Sequence, residues 1–160
     1  MAQLQFKLDS KIGPLYVVTS EKGLRGVFWT KQKVPMSLVL DGSLPEVKNM
    51  TKAINEISEY LEGKRKKFDL LLDIEGTEFQ NKVWTELLKI PYGKTRSYKE
   101  VAQRIGTNGI RAVGTANGKN SLCIVVPCHR VIATGGGLGG YSGGLDIKKR
   151  LLDLEQGNNL

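Results

Sequence analysis

A cysteine and the only histidine of the chain are adjacent, in the segment Pro127-Cys128-His129-Arg130. Cysteine attacks as the thiolate, and the ordinary thiol pKa of about 8.5 must fall before much thiolate forms at neutral pH. His129 and Arg130 are cationic neighbours that can lower it. Adjacent side chains do not normally point the same way, so a direct Cys128–His129 bond needs a special turn or a bridging water. The pair is a candidate nucleophile and base, although such a dipeptide also arises by chance.

Two apolar segments flank this pair. Residues 122–126 form a continuous apolar run that predicts a buried strand, in which Cys123 is expected to be an inert core residue. Residues 145–155 have the apolar spacing of a helix, with Glu155 near its end. Seven of the ten residues in the intervening segment 135–144 are glycines. This segment lacks the context of a dinucleotide-binding fingerprint and is either a flexible linker or the lip of a pocket.

Upstream of the pair, the pattern is that of a helix-turn-helix. Two capping boxes, each placed before an apolar stripe of helical spacing, mark helix starts at Thr77 and Ser97. A tight turn at residues 106–109 separates the second of these helices from a short helix at 110–118. That last helix carries Ala, Gly and Thr in place of the side chains that read bases. It is predicted either to pack in the interior or to approach DNA closely, with Arg111 as its one long projecting side chain.

The N-terminal residues have a different pattern. Short alternating segments within the first thirty residues, separated by turns, predict an antiparallel β-meander, and helical spacing follows from Val47 to Leu61. The predicted fold class is therefore α/β: a small N-terminal domain, residues 1–76, with a meander and a helix, followed by a mainly helical, winged-helix-like domain, residues 77–160. The second domain is expected to contain the helix-turn-helix and the catalytic site.

Composition excludes several classes of protein. Two cysteines and one histidine are too few for the four ligands of a structural zinc site, so no metal is expected. No apolar run approaches the ~18 residues of a membrane helix, and the N-terminal segment lacks a secretory apolar core, which predicts a cytoplasmic protein. Twelve basic and six acidic residues follow residue 76, against twelve and ten before it. This excess favours a polyanionic partner for the second half.

Together these motifs resemble the O6-alkylguanine-DNA alkyltransferases, a family of suicide DNA-repair proteins. The resemblance runs from Phe79 to Glu155 and rests on these segments: Ile90-Pro91-Tyr92-Gly93, Arg111-Ala112-Val113-Gly114, Asn120, Pro127-Cys128-His129-Arg130-Val131, Gly140-Tyr141-Ser142-Gly143-Gly144 and Glu155. It implies that the protein flips O6-alkylguanine out of double-stranded DNA and transfers the alkyl group irreversibly to its own cysteine. No cofactor, metal or membrane is implied, and a monomer is expected.

The resemblance also assigns roles to individual residues. Cys128 would accept the alkyl group, His129 would act on it through a water, and Glu155 would orient His129. Asn120 would hold the turn around the cysteine, and Tyr98 would hydrogen-bond the guanine and assist its departure. The residues expected to hold the substrate are Arg111, which would enter the base stack, Ala112 and Thr115 on the DNA, and Val131, Tyr141 and Ser142 around the guanine.

Two positions depart from the family pattern, since Ser121 and Cys123 stand where many members have proline. Two other functions stay open at this point. A relative that senses alkylguanine without repairing it would lack the acceptor cysteine, whereas Cys128 is present. A cysteine hydrolase of the Cys-His-Glu kind would leave the helix-turn-helix and Arg111 unexplained.

Overall fold

The computed structural model describes residues 2–38 and 40–160 and divides into two compact units. One unit comprises the described residues up to Glu75 together with Leu160, and the other comprises Gly76–Asn159. Within the described residues, none of the helices has the length and apolar character that a membrane crossing requires.

The N-terminal unit is built on the predicted meander. Its strands, β1 (Gln3–Leu8), β2 (Leu15–Ser20) and β3 (Gly23–Phe28), pair antiparallel in chain order. The helix α1 (Pro45–Leu61) packs on this sheet, and its buried face includes Met50, Ala53, Ile57 and Tyr60. The meander and helix predicted from alternation and helical spacing are confirmed.

The second unit is mainly helical. Its helices are α2 (Glu78–Leu87), α3 (Tyr98–Arg104), α4 (Ile110–Gly118) and α5 (Leu145–Glu155). Both predicted capping boxes are present: in each, the cap hydroxyl accepts from the N3 backbone amide and the N3 side chain accepts from the cap amide, at distances of 3.0–3.1 Å. Because each cap satisfies two amides that a helix start leaves without partners, α2 and α3 begin where the sequence places them.

The helix-turn-helix is formed by α3 and α4. Its turn includes Gly106, whose φ of +76° lies in the left-handed region that glycine adopts without strain. α4 packs against α2 and α3 through Val113 and Ala116, and the Trp84 indole of α2 donates to the Ala116 carbonyl at 2.9 Å. Small residues therefore give α4 a closely packed inner face and leave its other face exposed.

A two-residue parallel pair positions the cysteine near the helix-turn-helix. β4 (Arg96–Ser97), directly before α3, pairs with β5 (Val131–Ile132). A 3₁₀ turn at Cys128–Arg130 leads into β5. The pairing thus holds the cysteine segment beside the first turn of α3, where Tyr98 lies.

The prediction of a strand at residues 122–126 is wrong, although this segment is buried as expected. Its backbone forms tight turns: the Val125 amide donates to the Cys123 carbonyl at 2.9 Å across Ile124, whose φ is +75°. The cause is Asn120, whose side chain accepts from the Leu122 amide at 2.9 Å and donates to the Val126 carbonyl at 2.8 Å. Backbone groups that a ladder would have used are held by that amide instead.

Candidate active site

Cys128 lies in the wall of a cavity of about 430 Å³ within the second unit, with only 3% of its surface exposed. Three of the residues predicted around it, Tyr98, Tyr141 and Ser142, line the same cavity. Val131, also predicted to line it, is fully buried and is not among the lining residues. The others in the lining are Gly114, Asn117, Gly118 and Gly140. The structure therefore gives Cys128 a pocket formed by α3, α4 and the glycine-rich segment.

The glycine-rich segment is the lip of this pocket. At Gly139, which has a φ of +73°, a Cβ atom would lie 2.7 Å from the Tyr98 hydroxyl. The Gly140 backbone and the Asn117 side chain, which are near this hydroxyl, act to lower the pKa of Tyr98. Burial is the main cause that raises the pKa of Tyr98, so its hydroxyl keeps its proton at neutral pH and can donate it to a ligand.

His129 is buried against Glu155. His129 Nε2 lies 2.7 Å from Glu155 Oε2, and Glu155 also receives two bonds from Arg130, at 2.8 and 3.0 Å, and one from the Gly93 amide at 3.1 Å. Arg130 further donates to the Ile90 carbonyl at 2.7 Å. The sequence paired Glu155 with His129 but missed Arg130, whose guanidinium also donates to this carboxylate.

Burial and hydrogen bonds together set the charges of Glu155 and His129. Burial alone would raise the pKa of Glu155, but the hydrogen bonds from His129 and Arg130 outweigh it and lower that pKa to about 2. Burial also lowers the pKa of His129, so the imidazole is neutral at neutral pH. Since an ionised carboxylate only accepts, Nε2 of His129 carries the proton and donates to Glu155, and Nδ1 is the acceptor nitrogen of the ring.

The Cys128 thiol is held protonated at rest. The neighbouring Cys123 thiol and burial raise the pKa of Cys128 well above the ordinary value, whereas the Asn120 side chain and the Lys148 charge act to lower it. Lys148 is itself fully buried, donates to the Val131 carbonyl at 2.6 Å and to the Gly140 carbonyl at 3.1 Å, and has its pKa lowered to about 8 by burial. A buried cation thus stands near the sulfur and stabilises a thiolate formed there.

Sequence reasoning missed Lys148 and Asn117. Lys148 lies three residues before Leu151 and seven before Glu155, so it shares the inward face of α5, and that spacing was the available signal. Asn117 is buried and donates to the Cys128 carbonyl at 3.4 Å. It stands among small residues in α4, and no pattern in the sequence singles it out.

The residues predicted to contact DNA share an exposed face of α4. Arg111, Ala112 and Thr115 are all exposed, and the Thr115 hydroxyl donates to the Arg111 carbonyl at 3.1 Å. The neighbouring Val113, Asn117 and Gly118 are buried or line the pocket. One helix therefore presents a surface on one side and the cysteine pocket on the other.

Comparison with known proteins places both units in one family. The family model described as "6-O-methylguanine DNA methyltransferase, DNA binding domain" matches residues 78–157, and the one described as its "ribonuclease-like domain" matches residues 6–74. A methylated-DNA--protein-cysteine methyltransferase of Methanosarcina barkeri is 45% identical over 152 residues, covering 94% of this chain and 96% of the relative. One of Mycobacterium leprae is 45% identical over 150 residues, covering 93% and 90%.

A solved structure shares the fold. The crystal structure of Mycobacterium tuberculosis OGT in complex with DNA matches with a TM-score of 0.86 and 38% identity, covering 98% of this chain and 94% of that one.

Proposed function

The chain belongs to the 6-O-methylguanine DNA methyltransferase family, and from this premise we propose that it repairs O6-alkylguanine in double-stranded DNA by moving the alkyl group onto its own Cys128. The observation that carries the assignment to Cys128 is its place in the wall of a cavity, beside the buried His129–Glu155 pair. Residues 77–160 would form the catalytic and DNA-binding domain, and residues 1–76 an accessory domain. A cytoplasmic location and a monomeric state stay predictions of the sequence.

The first chemical step is deprotonation of Cys128. His129 takes the proton through a bridging water, which removes the difficulty that adjacent side chains point apart. Glu155 holds the neutral imidazole with its proton on Nε2, and the Lys148 charge stabilises the thiolate. Because the thiol pKa is raised at rest, thiolate forms mainly when the substrate is in place.

The second step is an in-line displacement. The Cys128 sulfur attacks the alkyl carbon, the bond from that carbon to O6 breaks, and the electron pair leaves with the guanine. Tyr98 donates a hydrogen bond to the base and so stabilises the negative charge that develops on it. The product is a thioether, which neither water nor a thiol cleaves at neutral pH. One protein molecule therefore repairs one lesion.

Access to O6 requires that the nucleotide leave the duplex. Extruding a base costs a few kcal/mol, least for a damaged base. Arg111 fills the space that the base leaves, while Ala112 and Thr115 let the exposed face of α4 approach the groove closely. Phosphate contacts supply most of the affinity, which agrees with the basic excess after residue 76.

Incubation with DNA that carries a labelled methyl group on guanine O6 tests this function. Repair transfers the label to the protein in a one-to-one ratio. Binding without transfer would identify a sensor of alkylguanine, and failure of both binding and transfer would favour a hydrolase.

Arg111→Ala is expected to slow repair of duplex DNA by about tenfold or more while changing the reaction with free O6-benzylguanine by less than about twofold. The reason is that the arginine stabilises the extrahelical nucleotide and takes no part in the displacement. Single-turnover rates on the two substrates measure this. Lys33→Ala, an exposed cation of the N-terminal unit, is the control. Equal losses on both substrates would contradict the role of Arg111.

Two substitutions are expected to move the pH dependence of alkyl transfer in opposite directions. Lys148→Met removes a charge that lowers the Cys128 pKa, so the rise of rate with pH moves to higher pH. Cys123→Ala removes the largest cause that raises that pKa, so the rise moves to lower pH. Lowering the thiol pKa by about one increases the thiolate fraction at neutral pH about tenfold. Single-turnover transfer rates measured from pH 6 to pH 10, in steps of about one pH unit, test this. If the rise in rate moved in the same direction in both variants, the prediction would be wrong.

A further inference from the structure

Cys123 has no part in the displacement, yet it contacts the acceptor. Its sulfur lies 3.4 Å from the hydroxyl of Ser142, which lines the Cys128 cavity, and 3.8 Å from the Asn120 carbonyl oxygen. This places it close enough to the Cys128 thiol to raise the pKa of that thiol. Both cysteines are buried as thiols. The two cysteines of this chain therefore lie together, and the sequence-based expectation of an inert core residue overlooked this contact.

The backbone between the two cysteines brings them together by successive tight turns. The Val125 amide donates to the Cys123 carbonyl at 2.9 Å, and the Cys128 amide donates to the Val126 carbonyl at 2.7 Å across Pro127. Pro127 has φ −80° and ψ 64°, the geometry of an inverse γ-turn. The Asn120 side chain also hydrogen-bonds to the backbone of this segment, at Leu122 and Val126. This short, folded connection keeps the two cysteines close together.

The two thiols differ in access. Both cysteines are 3% exposed, but Cys128 is part of the cavity wall, whereas Cys123 is not among the residues that line it. A small neutral oxidant that enters the cavity therefore meets Cys128 first. Cys123 is then placed to react with whatever forms on Cys128.

We propose that Cys123 is a resolving thiol, which forms a reversible disulfide with Cys128 when a hydroperoxide oxidises the acceptor. In the first step, the Cys128 thiol gives its proton to His129 through the bridging water, and the sulfur attacks a peroxide oxygen as the O–O bond breaks. This leaves a sulfenic acid, and the departing hydroxide takes up that proton as water. In the second step, the Cys123 sulfur loses its proton and attacks the Cys128 sulfur. The S–O bond breaks, and the hydroxide leaves with that proton as a second water. One peroxide is reduced by two electrons, and the two thiols are oxidised to one disulfide.

The disulfide competes with irreversible damage. A second peroxide would carry the sulfenic acid to a sulfinic acid, which thiols do not reduce. Because Cys123 lies beside the Cys128 sulfur, its attack on the sulfenic acid is intramolecular. It is therefore faster than reaction of the sulfenic acid with a second molecule of dilute peroxide. In a protein that transfers only one alkyl group, reduction of the disulfide would then restore the Cys128 thiol for that reaction. This consequence rests on the proposed function, whereas the disulfide itself does not.

The test uses the full chain, reduced and then treated with a small excess of hydrogen peroxide. Trypsin cleaves after Lys119 and Arg130, so one peptide, residues 120–130, carries both cysteines. The expected result is a loss of two hydrogen atoms from that peptide and no reaction with iodoacetamide until dithiothreitol is added. Alkyl transfer should fall about tenfold or more and return nearly fully with dithiothreitol.

Cys123→Ala is the matched variant, with Cys123→Ser as the second should the smaller side chain impair folding. For each variant, alkyl transfer after peroxide is compared with alkyl transfer by the same variant without peroxide. After peroxide, Cys128 in the variant should gain two oxygen atoms, and dithiothreitol should not restore transfer. A wild-type peptide with a sulfinic acid at Cys128 and an unoxidised thiol at Cys123 would overturn the proposal. The peptide masses need no alkyl transfer, so a protein that never transferred alkyl groups would refute the proposed function and leave this test intact.

Discussion

Cys128→Ser is expected to reduce alkyl transfer from DNA by about a thousandfold or more while changing DNA affinity by less than about twofold. A hydroxyl is a far weaker nucleophile than a thiol at neutral pH, and the buried lysine and imidazole cannot deprotonate it to a useful extent. The residues proposed to contact DNA lie on the exposed face of α4 and do not line the cavity, so the change should not reach them. Transfer is measured as label that stays on denatured protein, and affinity as retention of labelled DNA.

Cys123→Ser is the control for this experiment, since it alters the other buried thiol of the same segment. It should still carry the label, and peptide mapping should place that label on Cys128. Label on Cys123 in the wild type, or alkyl transfer by Cys128→Ser, would show that Cys128 is not the alkyl acceptor.

The features that the sequence predicted correctly depend on local chemistry. The capping boxes at Thr77 and Ser97 act within four residues, so they work before any tertiary contact exists. The meander follows from alternation with turns, and α5 from apolar spacing. Each of these signals is complete within one segment, which is why the elements begin and end close to their predicted positions.

The features that the sequence missed depend on what packs against each residue. An apolar run such as 122–126 has the same composition in a strand or in buried turns, and the side chain of Asn120 decides between them. Lys148 has a charged side chain of the kind usually found at the surface, yet it is buried because two backbone carbonyls accept hydrogen bonds from its ammonium group. The contact of Cys123 with Cys128 likewise requires the folded turn. The resemblance to a family supplied residue roles, whereas the structure supplied the partners that tune them.

Glu155→Gln is expected to lower the free energy of unfolding at pH 7 by about 3 kcal/mol. The carboxylate holds both His129 and Arg130, and its side chain is 1% exposed. An amide of the same shape keeps the packing but leaves the arginine buried without its countercharge. Urea unfolding at pH 7 measures the loss. Glu78→Gln, on a side chain that is 90% exposed, is the control and should change stability by less than about 0.5 kcal/mol.

The same substitution should flatten the acid branch of the stability curve. The Glu155 pKa is lowered from 4.5 to about 2 in the folded state, so its stabilisation is complete above pH 4.5 and is lost as the pH falls towards 2. The wild type should therefore lose about 3 kcal/mol across that window through this group, and Glu155→Gln should not. The two proteins become nearly equal in stability at about pH 2, where half of the wild-type carboxyl groups are protonated. Parallel curves, with the gap unchanged from pH 7 to pH 2, would show that ionisation of Glu155 beside His129 and Arg130 does not stabilise the fold.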